Sequence, residues 1–377
     1  MTPLQAISQK ARALNVPISA HIDTTYRCNF ICEHCILPSQ FGGTELSTVE
    51  VVKVLEDLAA LGTLFLTLSG GEVFLRKDLD DILAAADRLR FCTKLYTHGN
   101  FIDEARVAML LARHVSEVQI SFYSIDPCVH EKITRVPGSH AKSLHAIDLL
   151  VAAGVRVVLA CPVTRYNFGS TKELTDFAKS RKIPIKISPQ IQPTYSGELH
   201  TLSVATPSCE LPNVYLEPWN ESTLYALAKA PAAKFDDSAN CGAARSTVYI
   251  NPIGDVQGCA LMGGLSAGNV RQRPLADIWR SSDVLKQIRE IARKDREDCK
   301  RCENAKYCSF CMANSWQVTK TLLSPTASMC EQSNAKRLAV EEHKRRLPIF
   351  AAMADDPVGR QRGENGEGDG TEPEPDL

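Results

Sequence analysis

The cysteines are the residues of this chain that are best suited to metal binding or redox chemistry, and they are unevenly distributed along the sequence. The sequence has 14 cysteines among 377 residues, and most of them fall into two groups, one near each end. In a cytosolic protein a disulfide is a poor use for clustered cysteines, and metal binding or redox chemistry is the more common one. The question is therefore which metal each group binds.

The first group follows a predicted strand and has the spacing C-x3-C-x2-C, formed by Cys28, Cys32 and Cys35. Three thiolates are one short of the tetrahedral set that structural zinc prefers, and they suit a four-iron cluster with one iron left open. An open iron can chelate a small molecule through an amine and a carboxylate. The alternative is a zinc site that His34 completes. Because His34 lies between two of the cysteines, we expect it instead to be a solvated loop side chain.

The elements that must position these cysteines alternate between strand-like and helix-like segments. Apolar runs predict strands at 17–26, 63–69, 92–97, 117–123, 155–163 and 184–190. Apolar residues at helical spacing predict helices at 48–61, 79–89, 103–113, 142–153 and 171–180. This alternation predicts an α/β fold in which six parallel strands form an incomplete (β/α)6 barrel of the TIM type. In parallel barrels the chemistry lies at the carboxyl ends of the strands.

The cysteine spacing after the first strand resembles that of the radical SAM superfamily. In that family the open iron of a 4Fe-4S cluster binds the amino and carboxylate groups of S-adenosyl-L-methionine (SAM), and an electron from the cluster yields a 5′-deoxyadenosyl radical. Gly70, Gly71 and Glu72, after the second strand, resemble the family motif that receives the amino group of SAM. The sequence departs from the family at His34, where an aromatic or apolar residue is frequent, and at Val73, where proline is frequent.

Further site candidates follow the fourth and fifth strands. By the resemblance, Ser121 and Arg135 hold the ribose or the carboxylate of SAM. An Arg side chain suits a carboxylate, although Arg135 is equally consistent with a surface loop charge. Asn167 is another cofactor-binding candidate, while most loop asparagines only form turns. Cys128 is a candidate proton or hydrogen donor near the presumed site.

The second group contains seven cysteines in the last third of the chain. They are Cys241, Cys259, Cys299, Cys302, Cys308, Cys311 and Cys330. This pattern resembles a SPASM domain, which in relatives carries two auxiliary 4Fe-4S clusters. Two structural zinc sites are the alternative, because paired C-x2-C spacing also suits zinc.

The resemblance divides the seven cysteines into an outer set and an inner set. The outer set consists of Cys299, Cys302, Cys308 and Cys330. The inner set, Cys241, Cys259 and Cys311, lacks a fourth cysteine from the motif. Either another residue completes it, with Cys209 the nearest upstream thiol, or substrate binds the open iron. The chain is therefore expected to hold one or two auxiliary clusters.

Changes in composition along the chain predict its domain boundaries. The segment dense in cysteines resembles a small domain that metal binding stabilises, since ligand binding supplies folding free energy. The end of the chain is rich in Gly, Pro and acidic residues, a composition typical of disorder. The predicted divisions are an N-terminal extension (1–16), a radical SAM partial barrel (17–192), a bridge (193–239), a SPASM domain (240–337), a C-terminal helix (338–354) and a disordered acidic tail (355–377).

Composition excludes some classes of partner and compartment. Lys and Arg total 43 against 44 for Asp and Glu, so no bulk charge favours nucleic acid or an anionic membrane. No apolar run approaches the roughly 20 residues that a membrane-spanning helix needs. The N-terminus lacks the apolar core of a secretory signal, so we expect a cytoplasmic protein.

The predicted activity is that of a radical SAM oxidoreductase that removes hydrogen from a peptide or protein substrate. Auxiliary clusters favour net oxidation, such as a crosslink or a dehydrogenation, because an electron must leave after hydrogen abstraction. Residues 1–16 are too few for an added peptide-recognition domain, so a leader peptide needs this barrel or a separate recognition protein. A ferredoxin or flavodoxin is the expected reductant. The alternatives are a small-molecule dehydrogenase, of aminoglycoside or tetrapyrrole type, and a non-catalytic binding or electron-transfer module with structural metals.

Overall fold

The computed structural model describes residues 2–38 and 42–354, which form one nine-stranded sheet and the helices around it. The strands are β1 (Ser19–Thr25), β2 (Phe65–Gly70), β3 (Cys92–Thr97), β4 (Glu117–Ser121), β5 (Val157–Pro162), β6 (Ile185–Ser188), β7 (Thr247–Ile250), β8 (Asp255–Gln257) and β9 (Gly268–Asn269). The helices are α1 (Pro3–Ala13), α2 (Thr48–Ala60), α3 (Leu79–Arg88), α4 (Glu104–Ala112), α5 (Pro127–Thr134), α6 (Ser139–Ala152), α7 (Thr171–Ser180), α8 (Leu211–Tyr215), α9 (Glu221–Lys229), α10 (Leu275–Ser281), α11 (Asp283–Glu290), α12 (Met312–Thr319) and α13 (Ala327–Ala354). The strands and helices predicted for the barrel agree with these bounds to within a few residues.

The strand order shows how the first cysteine group is positioned. Strands β1 to β6 are all parallel and lie side by side in chain order, with a helix in each connection between neighbours. No pairing joins β6 back to β1 among the described residues, so the barrel is open on that side. This confirms the predicted incomplete (β/α)6 barrel, whose strand ends gather the motifs at one rim.

The segment rich in cysteines continues the same sheet. Strand β7 pairs in parallel with β1, and β8 and β9 follow as antiparallel neighbours. The side chains of Val248, Tyr249 and Ile250 in β7 are buried, which is the apolar pattern of a central strand. The two cysteine groups therefore lie next to adjacent strands, β1 and β7. The sequence did not predict this arrangement, because the βα alternation ends before residue 240.

The core lies between the sheet and the apolar faces of its helices. Helix α2 buries Leu55 and Leu58, and β2 buries Leu66 and Leu68, all with almost no exposed surface. Burying one such side chain contributes roughly 1.5–3 kcal/mol, so this layer stabilises the barrel and fixes the strand ends.

Helices α1 and α13 are the first and last helices of the described chain. Helix α1 was not predicted; it begins with a capping box between Thr2 and Gln5 and a proline in its first turn. Helix α13 packs on α8 and α9 through a small separate core that includes Leu211, Leu224 and Val340. The predicted disordered tail lies outside the described residues. No helix in the described part of the chain is long and apolar enough to cross a membrane.

Candidate active site and cluster-binding cysteines

A cavity of about 420 Å³, open to solvent, lies at the carboxyl ends of the barrel strands; we call it the main cavity. It is lined by His21, Cys28, Phe30, Cys32, His34, Cys35, Ile36, Leu37, Ser69, Gly70, Gly71, Tyr96, Thr97, His98, Gln119, Ser121, Tyr123, Pro162, Gln190, Ile191, Gln192, Tyr195, Ala260 and Leu261. These residues come from every barrel strand or the loop after it, and from the loop after β8. The motifs predicted from separate parts of the sequence thus meet in one place.

The three thiols of the first group all line this cavity. Burial raises the pKa of Cys28 to about 11 and that of Cys32 to about 12, and it also raises the pKa of Cys35. The Phe30 N–H donates to the Cys28 sulfur at 3.4 Å, a bond that stabilises a thiolate. In the described residues no three His, Cys, Asp or Glu side chains converge as ligands of a single ion. Three cysteine thiolates leave one iron of a 4Fe-4S cluster without a protein ligand, and they are one short of the four ligands of structural zinc.

The glycine pair is required by close contact between two strand ends. Gly71 N–H donates to the Thr25 carbonyl at 2.8 Å, and Glu72 N–H donates to the Arg27 carbonyl at 2.8 Å. A Cβ atom at Gly70 would collide with the Thr25 carbonyl oxygen, and one at Gly71 with the Arg27 carbonyl oxygen. The missing side chains therefore let the turn after β2 dock against the segment that leads into Cys28, and both glycines line the main cavity.

Glu72 has a different place from the one predicted. Its side chain is fully buried and does not line the main cavity. The carboxylate accepts hydrogen bonds from the Thr97 hydroxyl (2.7 Å), the His98 N–H (3.0 Å) and the Phe74 N–H (3.1 Å). Burial raises the pKa of Glu72 to about 7. The carboxyl group therefore connects the turn after β2 to the end of β3. We expect the backbone next to Glu72, and not its side chain, to contact the amino group of SAM.

His34 is not the solvated side chain that its loop position suggested. It lines the main cavity, and its ring packs edge-on against Tyr123 with 5.1 Å between centroids. Burial lowers the pKa of His34 to about 4, so the imidazole is neutral at pH 7. A neutral ring on the cavity wall can fill the role of the aromatic residue that is frequent at this position in the family.

His98 lines the cavity on the side of β3 and is held by both ring nitrogens. The Asn100 N–H donates to Nδ1 at 3.1 Å, so the proton lies on Nε2, which is 2.8 Å from the Asn29 side-chain oxygen. The ring stacks on Phe30 at 3.8 Å between centroids. Burial lowers the pKa of His98 to about 3, so this neutral ring serves to fix the loop that carries Cys28 and Cys32.

Ser121 lines the main cavity as predicted, whereas Arg135 does not. Arg135 caps α5 in a left-handed conformation, and its half-exposed side chain forms an ion pair with Glu33 in the cysteine loop. The Tyr166 hydroxyl donates to the same carboxylate at 2.8 Å. Arg135 therefore anchors the loop between the cysteines and does not contact the cavity directly.

Two further candidates lie away from the cavity. The buried Asn167 side chain accepts from the Thr164 N–H (2.7 Å) and donates to the Tyr123 carbonyl (3.0 Å), so it stabilises a turn. Cys128 is exposed in the first turn of α5, where its N–H donates to Asp126 at 2.8 Å. Neither residue lines the main cavity.

The outer set of cysteines lines a second, smaller cavity of about 40 Å³, the outer cavity. Its thiols are those of Cys299, Cys302, Cys308 and Cys330. Apolar and aromatic side chains of Phe235, Phe310 and Met329 complete the wall, and Arg296 lies over both phenyl rings at 5.1 and 5.2 Å. Three thiols from the connection between α11 and α12 and one from α13 surround the same space and fit a complete cluster ligand set.

The inner set has sequence neighbours in both cavities, and Cys311 directly follows Phe310 of the outer cavity. Cys241, Cys259 and Cys311 are close enough for their charges to add to burial in raising the pKa of the first two, that of Cys259 to about 11. Cys259 is followed by Ala260 and Leu261, which line the main cavity. Cys209 is exposed, and the adjacent Ser208 donates to Glu331 at 3.1 Å, next to Cys330 of the outer set. The structure therefore offers no support for Cys209 as the fourth inner ligand.

Several cavity residues were missed by the sequence analysis. His21 on β1 and Tyr195 after β6 line the main cavity, and Asp23 and Tyr249 lie directly behind them. The signal on β1 was present: His21, Asp23 and Thr25 are polar at alternate positions, so they share one face of a strand. The partnership with Tyr249 joins residues more than 200 positions apart and has no local signal.

Two family models match the chain. The Radical SAM superfamily matches residues 22–178, and SPASM, an iron–sulfur cluster-binding domain, matches residues 241–303. The first match contains the cysteine loop and the glycine pair. The second begins at Cys241 and contains Cys259, Cys299 and Cys302.

Curated relatives match most of the chain at low identity. The PqqA peptide cyclase of Granulibacter bethesdensis is 27% identical over 308 residues, which cover 76% of this chain and 80% of the relative. The mycofactocin maturase MftC of Mycobacterium ulcerans is 26% identical over 358 residues, which cover 89% of this chain and 94% of the relative.

A solved structure shows the same fold. SuiB of Streptococcus suis, bound to S-adenosylmethionine, superposes with a TM-score of 0.67 at 18% identity and covers 86% of this chain and 80% of its own. The strand order, the two sets of cysteines and both family models agree. The chain belongs to the radical SAM superfamily and carries a C-terminal SPASM domain.

Proposed function

We propose that this chain is an oxidoreductase that uses SAM to start the oxidation of a peptide substrate. One observation carries the proposal. A single cavity is lined by the three thiols and the glycine turn, and also by Ala260 and Leu261, which follow Cys259 of the inner set. Substrate in this cavity lies between a site that takes a hydrogen atom and a site that accepts an electron.

The cofactors of this family are a SAM-binding 4Fe-4S cluster, SAM, and auxiliary iron–sulfur clusters in the SPASM domain. Cys28, Cys32 and Cys35 would hold the first cluster. The outer and inner sets would hold the auxiliary clusters. When bound, the reduced cluster and SAM supply a 5′-deoxyadenosyl radical, which takes hydrogen from an unactivated carbon.

The residues of the chain position the reactants and exclude water. The stack of Phe30 on His98 and the edge contact of His34 with Tyr123 form apolar walls next to the thiols. The Tyr123 hydroxyl lies within hydrogen-bonding reach of Ser121 and Cys32. Such walls hold one carbon–hydrogen bond near the radical and limit side reactions.

A peptide substrate is supported by the names of the relatives. One is a peptide cyclase and the other a maturase, and a further solved SuiB structure contains the precursor peptide SuiA. We infer a net loss of two hydrogen atoms, as a crosslink or a dehydrogenation, because the auxiliary sites give the second electron a destination. We also infer a ferredoxin or flavodoxin as reductant, a separate recognition protein for a leader peptide, and a cytoplasmic location, where thiols stay reduced.

The test is an anaerobic assay with purified, reconstituted protein. The chain is incubated with SAM, dithionite, and either PqqA peptide or the peptides encoded by short reading frames beside its gene. We expect 5′-deoxyadenosine and a peptide lighter by two hydrogen atoms. The matched control omits SAM. Formation of 5′-deoxyadenosine with no change in any peptide would contradict the peptide assignment, and bound zinc with no SAM cleavage would contradict the enzyme assignment.

A further inference from the structure

A histidine–aspartate pair on β1 lies in the wall of the main cavity, outside the cluster and SAM motifs. His21 lines the cavity, and its Nε2 lies 3.0 Å from an oxygen of Asp23. The His21 side chain is 27% exposed, whereas that of Asp23 is 3% exposed. Among the described residues no group is hydrogen-bonded to Nδ1 of His21. One ring nitrogen is therefore held by a buried carboxylate and the other is open to a ligand.

The buried carboxylate is itself fixed from behind. The Tyr249 hydroxyl donates to the second oxygen of Asp23 at 2.6 Å. The ring centroid of His21 lies 5.9 Å from that of Tyr96 and 5.6 Å from that of Tyr249. The Lys186 ammonium lies over the Tyr96 ring. Asp23 is thus the acceptor for both neighbours, the Tyr249 hydroxyl and Nε2–H of His21. Because the proton of the neutral His21 ring then lies on Nε2, the lone pair of Nδ1 is available.

The other titratable groups of the cavity wall are unsuited to accepting a proton. Both nitrogens of His98 are engaged, His34 lies between cluster thiols, and the tyrosines are already protonated. No Lys, Arg, Asp or Glu lines the main cavity in the described part of the chain. His21 is thus the one basic group on this wall with both a carboxylate partner and an open nitrogen.

We propose that His21 is the catalytic base that removes the proton from the oxidised substrate, with Asp23 as its positioning residue; this rests on the proposed function. One hydrogen atom leaves the substrate carbon and forms 5′-deoxyadenosine. The second oxidation step removes an electron and a proton as the new bond forms. The electron goes to an auxiliary iron–sulfur cluster, and the proton goes to Nδ1 of His21, whose imidazolium is stabilised by Asp23.

The position of His21 suits both transfers. Tyr195 lines the cavity, and its ring lies 6.0 Å from that of Tyr249, on the side where Cys259 and the inner set are found. The His21–Asp23 pair is therefore connected through Tyr249 and Tyr195 to the neighbourhood of Cys259, one of the inner thiols.

The first test separates hydrogen abstraction from proton removal. The reconstituted holoenzyme and its His21→Gln variant are compared with PqqA peptide or the peptides of neighbouring reading frames. In His21→Gln the oxidised peptide formed per 5′-deoxyadenosine should fall by about 100-fold, the usual size of a lost general base. The wild-type yield should rise with pH, and Asp23→Asn should alter that dependence. An unchanged yield in His21→Gln would overturn the proposal.

The second test needs no substrate. Diethylpyrocarbonate modifies neutral, accessible imidazole, and peptide mapping of the treated holoenzyme gives the rate at each histidine against pH. His21 should react, and Asp23→Asn should change its profile, because the buried carboxylate holds Nε2 of the ring. His114, which pairs with Asp87 on the surface at 3.0 Å, is the internal control and should not change.

The two tests fail in different ways. If His21 does not react, or if its profile is the same in Asp23→Asn, the dyad does not bind a proton in the cavity and the inference is wrong. If wild type cleaves SAM but oxidises no peptide, the proposed function fails, and the modification profile still decides whether His21 accepts a proton there.

Discussion

The two cavities that contain cysteines differ in ligand number and in size. The outer cavity has four thiols around about 40 Å³ and is closed by Phe235, Phe310 and Arg296. The main cavity has three thiols, has a volume of about 420 Å³ and extends to the strand ends of the whole barrel. A complete set of thiols leaves an iron cluster no free position, so the outer site is suited to electron transfer. An incomplete set beside a larger cavity is suited to binding a reactant.

The inner set falls between these two cases. It has three cysteines, as in the main cavity, but it is buried beside Ala260 and Leu261 instead of facing a glycine turn. The comparison therefore predicts that single substitutions differ in effect. The largest abolishes SAM cleavage, and the smallest only weakens the affinity for SAM.

The largest effect is expected at the first cysteine group. Cys32→Ala should abolish 5′-deoxyadenosine formation, because two thiolates cannot hold the cluster that cleaves SAM. Iron content should fall from roughly twelve to roughly eight atoms per chain if three four-iron clusters are present. Cys92→Ser, at the start of β3 and outside both cavities, is the matched control. A Cys32→Ala protein that still forms 5′-deoxyadenosine would refute the site assignment.

Loss of the outer set should separate SAM cleavage from product formation. Cys330→Ala should leave substrate-free SAM cleavage within about twofold of wild type but lower the yield of oxidised peptide by about 10- to 100-fold, as for loss of a metal-site partner. Electron paramagnetic resonance of the reduced protein should lose one cluster signal. Cys209→Ser is the control, and loss of a signal in that variant would show that the ligand set is wrong.

The buried Glu72 gives a prediction about pH. Its pKa is raised from the ordinary 4.5 to about 7, so the unfolded chain ionises first as pH rises. The free energy of unfolding of wild type should therefore fall, relative to Glu72→Gln, by about 3 kcal/mol between pH 4.5 and pH 7, and it should level off above. Urea titrations of both proteins across this range measure the difference. A difference that is constant with pH would contradict the buried, protonated carboxyl.

The glycine turn should affect SAM affinity. Gly71→Ala forces the turn away from the Arg27 carbonyl, and we expect SAM binding to weaken by about 10-fold or more, since overpacking typically costs 1–3 kcal/mol. Gly169→Ala is the control, because nothing lies within 4 Å of the added methyl group. Equilibrium binding of SAM to the reconstituted proteins provides the measurement, and equal affinities in both variants would count against the turn as a SAM site.

The smallest effect is expected at Arg135. Because its half-exposed side chain pairs with Glu33 and not with the cavity, Arg135→Ala should weaken SAM binding only about two- to fivefold, as expected for an exposed ion pair. Glu33→Gln should give a similar change if the pair acts by anchoring the loop. A loss of 100-fold or more in Arg135→Ala alone would instead support direct contact with the SAM carboxylate.

The sequence predicted those features that short spacing encodes. Cysteine spacing gave the ligand groups, and apolar periodicity gave the barrel strands, because both depend on residues near one another in the chain. His34 was misplaced because a loop position suggested solvent, whereas the loop folds over the cavity. The cofactor contacts predicted for Glu72 and Asn167 stay predictions; both side chains are buried and form hydrogen bonds within the protein, as buried polar groups usually do.

The rest of the site depends on contacts that no local pattern records. The pairing of β7 with β1 brings Tyr249 to Asp23, although more than 200 residues separate them. The stack of Phe30 on His98 likewise joins the loop after β1 to the end of β3. Such partners are fixed by strand order, which the sequence alone left open.

The most direct measurement asks whether SAM occupies the vacant position at the first cysteine group. A Cys259→Ala/Cys330→Ala variant removes the auxiliary signals, and electron–nuclear double resonance is recorded with SAM labelled with 15N at its amino group. The account predicts a 15N hyperfine coupling to the reduced cluster held by Cys28, Cys32 and Cys35. An intact cluster with no 15N coupling, or with a coupling from the nitrogen of a protein side chain such as His34, would contradict it.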